Sequence, residues 1–164
     1  MIQKIENCVV YWCTSVQPQE KILPQVIEKI LMQRKRCSIL NQSVQELEKW
    51  DDRLWTFSSK SFLAHGNDVK DDFPKDHPIW ITQSCLNQND SYYGILTGYV
   101  HQNEIDLYSF PCWIWIVKEE DALAFQQATA WVQSKKWTES WIWVYRNQRW
   151  EKSVWIKATS EAEL

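Results

Sequence analysis

Glycine is the scarcest informative residue in this chain. Only Gly66, Gly94 and Gly98 occur in 164 residues. Loops that cradle phosphate need glycines at fixed offsets, because the backbone must approach the ligand closely. These three positions form neither a GxGxxG nor a Walker-type loop, which argues against nucleotide chemistry. Positive charge is also short. Lys and Arg number 18 against 21 Asp and Glu, a formal net charge of -3. A protein whose main task is gripping phosphate backbones shows a basic excess, so that task is not expected here, although a local basic patch is compatible with the balance. Apolar runs of the ~20 residues that span a bilayer are missing, and the N-terminus shows no targeting pattern. The five cysteines, at positions 8, 13, 37, 85 and 112, include no CxxC pair. Reduced thiols and a cytoplasmic location without membrane contact are the expectation.

Tryptophan is abundant instead. Eight of the 12 lie after residue 110, which predicts an aromatic core and a protein-binding surface. The run Cys8–Cys13 reads as a strand covered on both faces. Ile22, Leu23, Val26, Ile27, Ile30 and Leu31 recur at helical spacing, and Pro24 sets the start of the regular helix near itself. Lys29, Arg34, Lys35 and Arg36 place cations at its C-terminal end, where the helix dipole favours them. Cys37–Leu40 is a second strand. Ser43 with Glu46 fits a capping box for a helix whose inner face is Val44, Leu47, Trp50 and Leu54. Pro78–Thr82, Tyr92–Tyr99 and Leu107–Val117 follow as strands, the last two expected as an antiparallel pair around His101–Glu104. Glu119, Glu120 and Asp121 open a third helix, closed by Lys135 and Lys136. Trp141–Tyr145 and Val154–Ile156 complete the sheet.

Strand alternating with helix predicts an α/β fold. We expect a single-domain three-layer sandwich, with a mostly parallel or mixed twisted sheet and helices on both faces. Its topology should be nucleotide-binding-like without a phosphate loop. The domain is expected over residues 1–157, with a flexible acidic tail at 158–164. The polar stretch from Gly66 to Pro78 is long for a compact domain and reads as functional or mobile.

Catalytic chemistry has few candidates. No two histidines among His65, His77 and His101 have ligand-like spacing, so neither a metal nor a cofactor is expected. Cys85 with His77 is the one thiol and base combination the sequence offers. His65 reads as a hydrogen-bonded residue at the loop entry, and Asp51-Asp52 as solvated carboxylates. Two alternatives stay open: a small cysteine- or histidine-dependent enzyme, and a partner-binding domain using Trp137, Trp141, Trp143 or Trp150.

Several stretches carry a resemblance. They are Val9–Trp12, Leu23–Lys29, Trp50–Trp55, Ser61–Gly66, Trp131 with Lys135, and Arg149–Lys152. In this order and spacing the chain resembles the chi subunit of bacterial DNA polymerase III, of the alphaproteobacterial type. The resemblance implies a non-catalytic accessory subunit. It implies binding of the acidic, phenylalanine-ended C-terminal tail of single-stranded-DNA-binding protein (SSB), a link to a psi-like subunit or the clamp loader, and contact with nucleic acid only indirectly. A terminal Phe needs an apolar pocket, and its carboxylate and neighbouring aspartates need Lys or Arg donors. Carried over by position, Phe62, Val117 and Trp131 would form the pocket. Lys135, Lys136, Lys118 and Lys60 would edge it. The chain departs from the family pattern at Ala128 and Val132, where relatives carry basic residues.

Overall fold

The computed structural model describes residues 5–13, 18–57, 63–98, 110–133, 137–146 and 149–153. In chain order the elements are strand β1 (Ile5–Cys13), helix α1 (Gln19–Met32), β2 (Cys37–Leu40), α2 (Val44–Thr56) and the short β3 (Gly66–Asn67). A 3-10 turn at Pro74–Asp76 precedes β4 (Ile79–Thr82) and β5 (Tyr93–Leu96). Next come β6 (Cys112–Lys118), α3 (Ala122–Gln133), β7 (Trp137–Arg146) and β8 (Arg149–Ser153). The strands stand side by side in the order β3-β4-β2-β5-β6-β1-β7-β8. Among the described residues every pairing is parallel except β7 with β8. This is the expected α/β sandwich with a mostly parallel sheet.

Side-chain alternation along the strands sorts the core into two halves. Ile39, Ile81, Ile95, Ile114 and Ile116 face α1 and α2, joined by Leu23, Ile27, Leu47, Trp50 and Leu54 from the helices. Val10, Leu40, Leu96, Trp113, Trp115 and Val117 face the other way, against Ala124 and Ala128 of α3. Helix α3 packs on β6, β1 and β7. Towards β2 and β4 the same face is covered by the 83–92 loop. There Ser38 Oγ donates to Asn89 Oδ1 at 2.8 Å, and Asn89 Nδ2 donates to the His77 carbonyl at 3.0 Å. Buried amide and hydroxyl groups thus find partners in place of a helix.

Three expectations are corrected. β5 and β6 are parallel, with Tyr93 opposite Cys112 and Leu96 opposite Trp115. The intervening stretch 97–111 is long enough for the crossover that a parallel pair requires; its residues 99–109 lie outside the described residues. Helix α1 starts at Gln19 and carries Pro24 inside it. Proline removes the N–H that would reach the Glu20 carbonyl, and Arg53 Nε of α2 donates to that carbonyl instead, at 3.0 Å. The 66–78 stretch opens with an edge strand, β3, paired to β4. The last described strand is β8 at Arg149–Ser153; the strand expected at Val154–Ile156 lies outside the described residues and is not one of the three.

The capping of α2 is half as expected. Ser43 accepts from the Glu46 N–H at 3.3 Å, but its own N–H goes to Asn41 Oδ1 at 2.9 Å rather than to the glutamate. At α3, Asp121 caps the helix by accepting from the Ala124 N–H at 3.1 Å. No helix among the described residues is long and apolar enough to cross a membrane.

Candidate functional site

In open α/β sheets ligands bind beyond the strand C-termini, where successive crossovers leave on opposite faces. Here that place is between β1 and β6: α1 leaves β1 towards β2 on one face, and α3 leaves β6 towards β7 on the other. Gln19, the first residue of α1, is buried there. Its Nε2 donates to the Thr97 and Ile116 carbonyls, each at 2.7 Å. An amide side chain therefore ties the ends of β5 and β6 where nucleotide-binding α/β folds in general place phosphate. Nothing in the sequence marked Gln19 beyond its place after Pro18.

The family-like stretches meet at a second place. Asp51 of α2 is buried, at 7 % exposure, and accepts from His65 Nε2 at 2.9 Å. Asn67 Nδ2 reaches the same oxygen at 3.3 Å, and Lys70 Nζ approaches the other oxygen at 3.8 Å. His65 Nδ1 is 2.6 Å from the Leu63 carbonyl. The Trp55 ring lies against the imidazole, with centroids 4.4 Å apart. Asp51 is thus a buried partner rather than a solvated carboxylate. The missed signal is its position one turn from Leu47 and Leu54, on the apolar stripe of α2. His65 is hydrogen-bonded as expected.

The third place is the aromatic cluster under α3. Trp131 is half-buried and meets Trp113 and Trp115 edge to face, at 5.6 Å and 5.7 Å between centroids. Phe110 meets Trp113 in the same way at 5.0 Å. Such pairs add about 0.5–1.5 kcal/mol each beyond their buried area. Val117 belongs to this cluster and is 1 % exposed. Ala128 is fully enclosed. No acidic or basic residue occurs anywhere in α3.

The structure therefore brings Val117 and Trp131 together. Lys118 is elsewhere: it follows Val117 on β6, and its charge acts on Glu20 and Cys13 on the α1 side. Partial burial raises the Glu20 carboxyl, but the hydrogen bond from Lys49 at 2.9 Å and the charges of Lys49 and Lys118 outweigh it, leaving it below its ordinary value. The same hydrogen bond, against partial burial, holds Lys49 above its own. Phe62, Lys60, Lys135 and Lys136 lie outside the described residues, as does the side chain of Val132. Of the tryptophans proposed for a partner surface, Trp143 is half-buried, and the side chains of Trp137, Trp141 and Trp150 lie outside the described set.

Two of the candidate reactive groups, Cys85 and His65, are buried. Cys85 is buried in the α3-side cluster, whereas His65 is bound to Asp51 under α2. Burial pushes the Cys13 thiol up to about 12, with Glu20 and Glu120 adding to it and Lys118 opposing. Burial alone pushes Cys37 up to about 12. Neither is a thiolate near neutral pH. Among the described residues no three His, Cys, Asp or Glu side chains are placed to hold a metal ion.

The model of the family described as "DNA polymerase III chi subunit, HolC" matches residues 7–138 of this chain. A Rickettsia prowazekii protein named "Probable DNA polymerase III subunit chi" is 34% identical over 71 residues. That alignment covers 43% of this chain and 42% of the relative, so the chain spans less than half the length of the curated relative it matches.

Proposed function

This chain belongs to the DNA polymerase III chi subunit family, and from that premise we propose that it works as a non-catalytic adaptor in DNA replication. It receives the acidic C-terminal tail of SSB and links it to the clamp-loader assembly, through a psi-like subunit or directly. The observation that carries this reading is Trp131. Its ring is half-buried on α3 and braced by Trp113 and Trp115. A braced ring at the surface can take another ring against it without losing side-chain entropy on binding.

In this arrangement Trp131 contacts the terminal Phe of the tail, and the enclosed Val117 supports the cluster from beneath. Phe62 would complete the pocket, with Lys60 at its entrance. Lys135 and Lys136, which follow α3 in the chain, would pair with the tail carboxylates. Lys118, directed to Glu20 on the other side of the sheet, has no part in this rim. Since α3 contributes no charge of its own, the cations come from its flanks.

Calorimetric titration with a peptide ending in aspartates, proline and phenylalanine tests the reading. Binding is expected at low salt, weakening as salt screens the pairs. Trp131→Ala is expected to reduce the affinity by about tenfold or more, the loss of about 1.4 kcal/mol or more of ring contact. Equal affinity of the variant and the parent would refute it.

A further inference from the structure

At the N-terminal ends of the parallel strands, the turn from α1 into β2 gathers four cations that the adaptor reading does not use. Lys29, Arg34, Lys35 and Arg36 occur with no carboxylate among residues 29–36. Arg34 takes a left-handed conformation with φ 59°, which ends α1. Lys35 N then bonds back to the Ile30 carbonyl at 3.2 Å. Lys29, Arg34 and Lys35 are exposed, and Arg36 is half-buried. Among the described residues, none of the four forms an ion pair with a carboxylate.

Arg36 is held rigidly. Its Nη1 donates to the Lys75 carbonyl at 2.8 Å and the Asn89 carbonyl at 2.9 Å. These bonds fix the guanidinium without neutralising it and leave other donors of its fork for an external acceptor. Beside it stand two half-buried rings. Tyr92 and Tyr93 meet edge to face at 4.9 Å, and Lys35 Nζ lies 4.3 Å from the centre of the Tyr92 ring. Tyr93 Oη is also tied to Gln33 Oε1 at 3.2 Å. The negative charges nearby are Glu28 on α1, Asp76, and Asp90, which lies 3.9 Å from Lys75 in an exposed pair. The helix dipole, about half a charge at the C-terminus of α1, balances only a small part of four cations.

We infer that this surface binds single-stranded nucleic acid. Phosphates pair with Lys29, Arg34, Lys35 and Arg36, and a base stacks at the Tyr92–Tyr93 corner. Cations in a row beside aromatic rings suit a chain with one charge per residue and a flat face on every unit. An acidic peptide with an apolar end would instead seek a deep socket beside the cations. The contact would be auxiliary, since the overall charge of the chain is negative.

Fluorescence anisotropy of a labelled oligothymidylate of about 16 nucleotides with the full chain tests this. Saturable binding is expected at low salt. If all four cations meet phosphates, affinity falls roughly 50-fold between about 50 and about 200 mM salt. The triple variant Lys29→Gln/Arg34→Asn/Lys35→Gln should lose at least about tenfold in affinity and most of that salt slope. Tyr92→Leu should lose roughly tenfold through stacking. The triple variant should still bind the SSB-tail peptide with parental affinity, which separates this inference from the adaptor reading. Absence of oligonucleotide binding at low salt, binding unchanged in a triple variant with parental circular dichroism, or a patch that binds the acidic peptide in place of the oligonucleotide would each overturn it.

Discussion

Both ring nitrogens of His65 face oxygen, the Leu63 carbonyl on one side and Asp51 Oδ1 on the other. This fixes the chain leaving α2 to the helix itself, with the Trp55 ring against the imidazole. Removing one partner of such a buried pair leaves the other unsatisfied. Asp51→Ala should therefore destabilise the protein by about 3 kcal/mol in urea unfolding. Because the two residues share one interaction, Asp51→Ala and His65→Ala together should cost less than the sum of the single changes. Strict additivity would mean that the contact contributes nothing. The sequence showed His65 as a hydrogen-bonded residue but not its partner. An aspartate beside a second aspartate has the composition of a solvated pair, and only its place on the apolar stripe of α2 distinguishes it.

Elements were legible where a hydrophobic period runs for two turns or four strand residues. β1, β2, β4, α2 and α3 are of this kind. The two-residue β3 carries no period at all. The relative direction of β5 and β6 was hidden because a buried parallel strand and a buried antiparallel strand can share the same apolar run. Pro24 misplaced the start of α1 because the bond it removes is replaced from another helix, by Arg53, and a local pattern holds no trace of that. β5 itself depends on Gly94. A Cβ there would lie 2.8 Å from Phe110 Cδ2 and 3.1 Å from Trp113 Cε3. Both rings are enclosed and cannot move aside freely. Gly94→Ala is expected to lower stability by about 1–3 kcal/mol through overpacking, read as a lower urea midpoint with unchanged slope. A midpoint equal to that of the parent would contradict the packing of β5 against this cluster.

For the molecule as a whole, stability should respond to alkaline pH through its enclosed thiols. Cys13 and Cys37 have folded-state values raised from 9.0 to about 12. The stability they contribute is fully present below pH 9 and is lost as pH rises towards 12, because the unfolded chain releases these protons first. Urea midpoints should thus begin to fall above pH 9, and replacing both thiols by alanine should flatten that decline. The fold class and family were readable from the whole sequence, because order and spacing survive where single motifs are weak. For the proposed site, residue types were legible in the sequence but not their faces. Val117 and Trp131 come together, but Lys118 is carried to the α1 face by the alternation of β6, which a list of nearby lysines does not reveal.

The central claim concerns Trp131, and the tryptophans supply their own probes. Indole N–H resonances followed by two-dimensional NMR during titration with the SSB-tail peptide address it most directly. The account predicts that the Trp131 signal shifts most, that Trp113 and Trp115 follow through their edge contacts, and that Trp50 and Trp80, enclosed elsewhere in the fold, stay in place. A saturating titration that leaves Trp131 unmoved while other indoles shift would contradict it.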